Sequence, residues 1–287
     1  MQTSTAAPSD GPPSTGQPDN AGSFLTVPGV RRMAGELSAE FLGTFVMVLF
    51  GVGADAQVLA GGLGSHDSIA WAWGLGVMVG LYIALRISGG HINPAVTIAQ
   101  ALFHGFPWRK VIPYSAAQLA GAFAAGLLVR WNYTEIIAKV DPGHTLKTGG
   151  IFATLPGNGT APVSDLGALR DQIIATALLV FLIFALTDTR NSAPLANLAP
   201  VAVGLAVVGM VMALGADAGY AINPARDLGP RIAIFLTGYR GAFRDQYGDL
   251  YFWVPIAGPI LGGIIGGALY KYGLQRYLPP AKTDLSP

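Results

Sequence analysis

The sequence predicts an all-α membrane protein of six transmembrane helices plus two re-entrant half-helices, built as an inverted repeat. Three observations lead there. Hydrophobic residues make up 52% of the chain and charged residues 11%, with a mean hydropathy of +0.48, whereas soluble domains carry roughly 25% charged residues. The segment HINPAVTIAQA, His91 to Ala101, returns as AINPARDLGPR, Ala221 to Arg231, with 130 positions between Asn93 and Asn223. The apolar run after each Asn-Pro-Ala ends near Phe103 and near Leu236, short of the ~20 residues a full crossing needs.

The chain opens on a stretch, Met1 to Gly29, rich in Pro, Ser, Gly and Thr, with no apolar core and no basic residue. That composition reads as a disordered tail over residues 1–30 and not as a signal peptide. Arg31 and Arg32 precede the first span, Met33 to Val52, and Ile69 to Ile87 makes the second. Ser88-Gly89-Gly90 then leads into the first half-helix. Asn is a strong N-cap, and Pro at the first helical position loses no hydrogen bond, so Asn93-Pro94-Ala95 and Asn223-Pro224-Ala225 each start a helix. Val111 to Trp131 forms the third span, with Gly121 and Gly126 as close-packing notches. A Gly/Pro-rich connection, Asn132 to Gly167, is too long for a tight turn and belongs outside the bilayer. Asp171 to Leu186 and Leu195 to Leu214 make spans four and five around a short inner loop with Asp188, Arg190 and Asn191. After the second half-helix and an outer loop, Thr237 to Leu250, span six runs from Tyr251 to Tyr270.

Basic residues orient the chain. Arg31, Arg32, Arg86, Arg109, Lys110, Arg190, Lys271, Arg276 and Lys282 fall on one side, which the positive-inside rule makes cytoplasmic, together with both termini. Lys139, Lys147, Arg170, Arg240 and Arg244 fall on the other, beside acidic neighbours.

The two halves correspond beyond the tripeptides. Gly74-Leu75 and Gly204-Leu205 each begin 19 positions before the Asn of their half, Glu40-x-x-x-Thr44 is matched by Gln172-x-x-x-Thr176, and Gly121/Gly126 by Gly262/Gly267. An odd number of spans per half inverts the second copy. Repeat one covers about 31–131, repeat two about 168–277, and 278–287 is a C-terminal tail. Inversion brings two helix N-termini together near the bilayer centre, where their partial positive charge and the Asn amides line a path suited to polar, uncharged solutes.

Other classes are excluded or weakened. A net charge of +1 gives no reason to expect nucleic acid, and a chain with no cysteine has neither disulfides nor thiol chemistry. No nucleophile, base or metal-ligand cluster stands at usable spacing, so the chain does not read as an enzyme or a metalloprotein. Gly51-x-Gly53-x-x-Ala56 follows no strand and is not a dinucleotide site. Asn132-Tyr-Thr134 and Asn158-Gly-Thr160 are glycosylation sequons on the outer connection. Glu40, a carboxylate at membrane depth, is read as a brace for the re-entrant loop and not as a proton relay, and His91 as a support for the loop turn. Carbonyls of Gly89, Gly90 and His91, and of Gly219, Tyr220 and Ala221, are expected along the path.

Paired Asn-Pro-Ala motifs in apolar context resemble the major intrinsic protein (aquaporin) family over about Arg31 to Tyr277, and the chain is most similar to its glycerol-conducting, aquaglyceroporin branch. The branch resemblance rests on Asp227 after the Arg of the second motif, Arg231 four further on, Pro255-Ile256 in span six and Tyr133 beyond span three. The resemblance implies six tilted helices and two half-helices per pore, a homotetramer with one pore per subunit, residence in the cell membrane, and no cofactor. It further implies an outer filter of Trp73, Tyr220 and Arg226, with Asp227 bracing the outer loop. Two aromatic faces can hold an alkyl backbone while a guanidinium binds hydroxyls. Two positions depart from the family pattern. Val211 stands where glycerol channels usually have Gly, which would narrow the filter, and Gln172 replaces the second-half Glu. The implied function is a passive channel for glycerol and small uncharged polyols that also passes water. A mainly water-selective channel is the alternative that Val211 raises; a coupled secondary transporter is the one that Glu40 raises.

Overall fold

The structure, a computed structural model, describes residues 28–280. The first half comprises α1 (Pro28–Leu59), α2 (His66–Ser88), the short α3 (Pro94–Phe103) and α4 (Val111–Asn132). Two small helices, α5 (Thr134–Val140) and α6 (Leu146–Gly149), lie in the connection to the second half. That half repeats the pattern with α7 (Asp165–Thr187), α8 (Ala199–Leu214), the short α9 (Pro224–Leu236) and α10 (Val254–Ala268). α10 continues to Tyr277 through a π-helical segment, Leu269–Leu274, and a 3₁₀ turn. A lone antiparallel bridge between Arg244 and Leu250 is the only β pairing among the described residues.

The packing is symmetric and crossed. α1 lies against α2 and α4, as α7 does against α8 and α10, and α2 meets α8 between the halves. Each half-helix packs on the last long helix of the other half, α9 on α4 and α3 on α10. Neither half can therefore bury its short helix alone. Glycines permit the contacts: a Cβ on Gly74 would lie 2.6 Å from the carbonyl oxygen of Gly204, and one on Gly204 would lie 2.7 Å from that of Gly74. The in-frame Gly-Leu pairs of the sequence are thus the α2–α8 crossing itself. Gly121 and Gly262 repeat the device in the two halves, where a Cβ would come within 2.3 Å of the Phe41 carbonyl oxygen and 2.4 Å of the Ile173 carbonyl oxygen.

Both half-helices begin and end where expected, but several boundaries move. Among the described residues five helices are long and apolar enough to cross a membrane, while α8, the repeat-mate of α2, has only 16 residues, about 24 Å at 1.5 Å per residue. The expected start of span five at Leu195 therefore shifts to Ala199. α1 runs on to Leu59 and not to Val52, because nothing in Gly53-Ala54-Asp55-Ala56 breaks it. Span four begins earlier, at Asp165, where Ser164 caps it by accepting from the Gly167 amide. Span six starts later, at Val254, with Pro255 in its first turn. The connection between the halves is more ordered than a polar loop: Ile151 and Phe152 are fully buried, and the chain there folds inward over the half-helix α9. The disordered-tail expectation falls outside the described residues apart from residues 28–30, which are helical; most of the C-terminal tail, with Lys282, lies outside them too.

Candidate functional site

The two Asn-Pro-Ala motifs meet. Asn93 and Asn223 have almost the same extended backbone, φ −159° and −156°, and each side-chain oxygen caps its own helix, accepting from the amide of Ala95 at 2.9 Å and of Ala225 at 3.0 Å. Each amide nitrogen then crosses to the other half: Asn93 donates to the Ile222 carbonyl and Asn223 to the Ile92 carbonyl, both at 2.8 Å. A primary amide carries two hydrogens, so each Asn keeps one after this exchange. Presenting those carbonyls requires φ 42° at both Ile92 and Ile222, a left-handed conformation that costs a non-glycine residue about 1–2 kcal/mol.

Buried braces hold these strained turns. The fully buried Glu40 of α1 accepts from the amides of His91 at 2.9 Å and Ile92 at 2.7 Å, and from the side chains of Gln118 and Ser88. Four donors on one carboxylate account for a charge at this depth. His91 turns its ring to Thr97 and packs between Phe106 and Tyr114, with centroids 4.6 and 5.3 Å away. In the second half Gln172 accepts from the Ile222 amide at 2.9 Å and uses its NH₂ to hold the carbonyls of Ala218 and Gly219, each at 3.2 Å. Replacing Glu by Gln thus adds donors, and the Gly219 carbonyl expected along the path is turned to Gln172 instead. Asp227 accepts from the amide and hydroxyl of Thr154 in the connection between the halves and from Arg231 at 2.8 Å. Arg231 in turn donates to the carbonyls of Thr154 and Ala242.

Trp73, Tyr220 and Arg226 form one cluster. The two aromatic rings stand 6.0 Å apart, edge to face, and the guanidinium carbon of Arg226 lies 4.1 Å from the Trp73 ring and 5.5 Å from the Tyr220 ring. Val211, at the end of α8, is buried beside them. Two residues that sequence reasoning missed complete the cluster. Asp55 accepts from the Tyr220 hydroxyl at 3.0 Å and the Trp73 indole at 3.3 Å, and lies 3.7 Å from Arg226. His66 brings its Nε2 to 3.1 Å from the Val211 carbonyl oxygen. An acidic residue within an apolar run was the signal for Asp55, but ending span one at Val52 placed it in a loop.

A cavity of about 190 Å³ joins the motifs to this cluster. One end is lined by Leu85, Thr187, Ala199 and Pro200, the middle by Asn93 and Asn223, and the other end by Trp73, Val211, Tyr220 and Arg226. Met47, Val77, Leu81, Leu179 and Val207 give the cavity apolar lining from the long helices, and the two re-entrant loops contribute Gly89 to Asn93 and Tyr220 to Asn223. Glu40 and Asp227 are not in the lining.

Crossed half-helices, tied to each other by their Asn amides beside an internal cavity, define a multi-pass membrane protein of the channel-forming class. The chain matches the major intrinsic protein family over residues 30–270 and belongs to it. It is 39% identical over 250 residues to a probable aquaglyceroporin-2 of Gibberella zeae, covering 84% of this chain and 73% of the relative. An aquaglyceroporin-2 of Rhizophagus irregularis is 41% identical, covering 81% and 74%. The X-ray structure of the aquaglyceroporin from Plasmodium falciparum superposes with a TM-score of 0.77 at 29% identity, covering 85% of this chain and 98% of that one.

Proposed function

We propose that the chain is a passive channel for glycerol and other small uncharged polyols that also passes water and excludes ions and protons. The observation that carries this reading is the cavity lined both by apolar side chains and by hydrogen-bonding groups of the re-entrant loops, which reaches Asn93 and Asn223 as well as Trp73, Tyr220 and Arg226. A polyol has the same two kinds of surface. Its carbons can lie on the aromatic rings while its hydroxyls take the remaining Asn hydrogens and the guanidinium. The names of the relatives point the same way. Proton exclusion follows from two opposed helix N-termini and two Asn donors, across which a water chain has to reverse its polarity, with Arg226 beyond.

Glu40 argues against proton-coupled transport, since both of its oxygens are taken by loop donors. Val211 favours one competing reading, a mainly water-selective pore, because its side chain fills space that glycine would leave open. We place the pore in the cell membrane with both termini cytoplasmic, on the distribution of basic residues, and assign it the homotetrameric assembly of its family. Stopped-flow measurements on purified protein in vesicles, with water, glycerol and urea gradients side by side, test the function. Glycerol flux well above that of empty vesicles is expected, relaxing to equilibrium without accumulation. Fast water flux with glycerol at background would establish the water-selective reading instead, and chemical cross-linking stopping at dimers would refute the tetramer.

A further inference from the structure

Asp55 is only 2% exposed, lies one turn before the end of a membrane helix, and serves neither the Asn-Pro-Ala turns nor the loop braces. A carboxylate in such surroundings is costly unless it is paired and hydrogen-bonded. Its partners are Trp73, Tyr220 and Arg226, one from α2 and two from the second re-entrant segment, and they are the three groups assigned above to the filter. One turn earlier on the same helix, Gly51 supports the Trp73 ring so closely that a Cβ there would come within 2.1 Å of it. Gly51 and Asp55 together make a seat for the indole, a flat floor and a hydrogen-bond acceptor. The same carboxylate holds Arg226 by charge, with the guanidinium resting at 4.1 Å over the indole face. No carbon chain fits between groups in van der Waals contact. A solute has to pass beside the pair or lift Arg226 away from Trp73.

We propose that Asp55 is a positioning residue that sets the width of the outer constriction. It fixes the edge-to-face angle of Trp73 and Tyr220 and restrains Arg226 against the indole, so the cross-section offered to a polyol depends on a side chain that itself lies behind the wall. The inference rests on the filter reading of the preceding subsection. It predicts that loss of the carboxylate changes selectivity among solutes and does not merely scale all fluxes.

The test compares wild type, Asp55→Val and Asp55→Asn in vesicles, each first shown to elute as the same oligomer, by their permeabilities to water, glycerol and a linear five-carbon polyol. Asp55→Val is expected to raise the ratio of five-carbon polyol to glycerol about fivefold, with less change in water. Asp55→Asn keeps an acceptor for one ring but loses the charge, and is expected to fall between; it decides the matter if the valine variant does not fold. Unchanged ratios, or three permeabilities falling in proportion, overturn the inference while leaving the glycerol channel standing. A wild type without glycerol flux overturns both.

Discussion

Arg226 shows how one side chain can serve two opposed requirements. It is 4% exposed, and its Nε and Nη1 have no partner among the described residues, so the protein leaves donors open while pairing the charge with Asp55. Replacing it with valine removes the cation and leaves the Asp55 carboxylate beside the path. Cation and proton leak through Arg226→Val vesicles is therefore expected to rise by roughly an order of magnitude while solute flux persists. A pH-sensitive dye under an imposed diffusion potential reads it, and unchanged leak would locate the barrier elsewhere. Asp188, in the turn after α7, illustrates a structural charge. It takes a two-pronged grip from Arg190, with further donors from Gln275 and the Tyr270 hydroxyl. The Arg190 hydrogen bonds, followed by that of Gln275, hold its carboxyl well below the usual carboxylate range despite partial burial. Because an unfolded aspartate titrates near ~3.9, this network contributes fully above that pH and is lost as pH falls through and below it. Asp188→Asn is expected to lower stability by about 2 kcal/mol at neutral pH, and the gap in apparent melting temperature should close under acid. A gap of the same size at every pH would assign the effect to packing.

At the scale of the element, the short helices are specified locally and the long ones only in part. Asn followed by Pro both starts α3 and α9 and satisfies their first free amides, which is why their boundaries could be read directly. The end of α1 has no such signal. Its last two turns hold Ala54, Asp55, Ala56 and Gln57, which neither break a helix nor demand one, and the contacts of Asp55 with Trp73 and Tyr220 fix them there. The small-residue crossings yield a prediction at this scale. Gly74→Ala places a methyl 2.6 Å from a backbone carbonyl oxygen and 2.3 Å from a Val208 methyl, so α2 and α8 have to separate. A cost of about 1–3 kcal/mol in thermal unfolding is expected. Gly209, on the same α8, has open space where a Cβ would sit, and Gly209→Ala should gain up to ~1 kcal/mol from helix propensity. Equal effects from the two substitutions would contradict the close-approach account.

For the whole molecule, the inverted repeat explains why neither half is complete. Each half-helix rests on the other half's last span, and each central Asn donates to the other half's chain. What the sequence determined by itself was the membrane class, the two capped half-helices, the frame of the repeat and the residues of the Asn-Pro-Ala motifs, because hydropathy, capping and periodicity are properties of neighbouring residues. The tertiary structure decided which donors are spent and which remain, the inward fold of Ile151 to Leu155, and the gathering of Trp73, Tyr220 and Arg226 around Asp55. Asp55 and Tyr220 are 165 positions apart, and a hydrogen bond across that distance depends on how two inverted halves lock together, a relation that no local stretch of the chain contains.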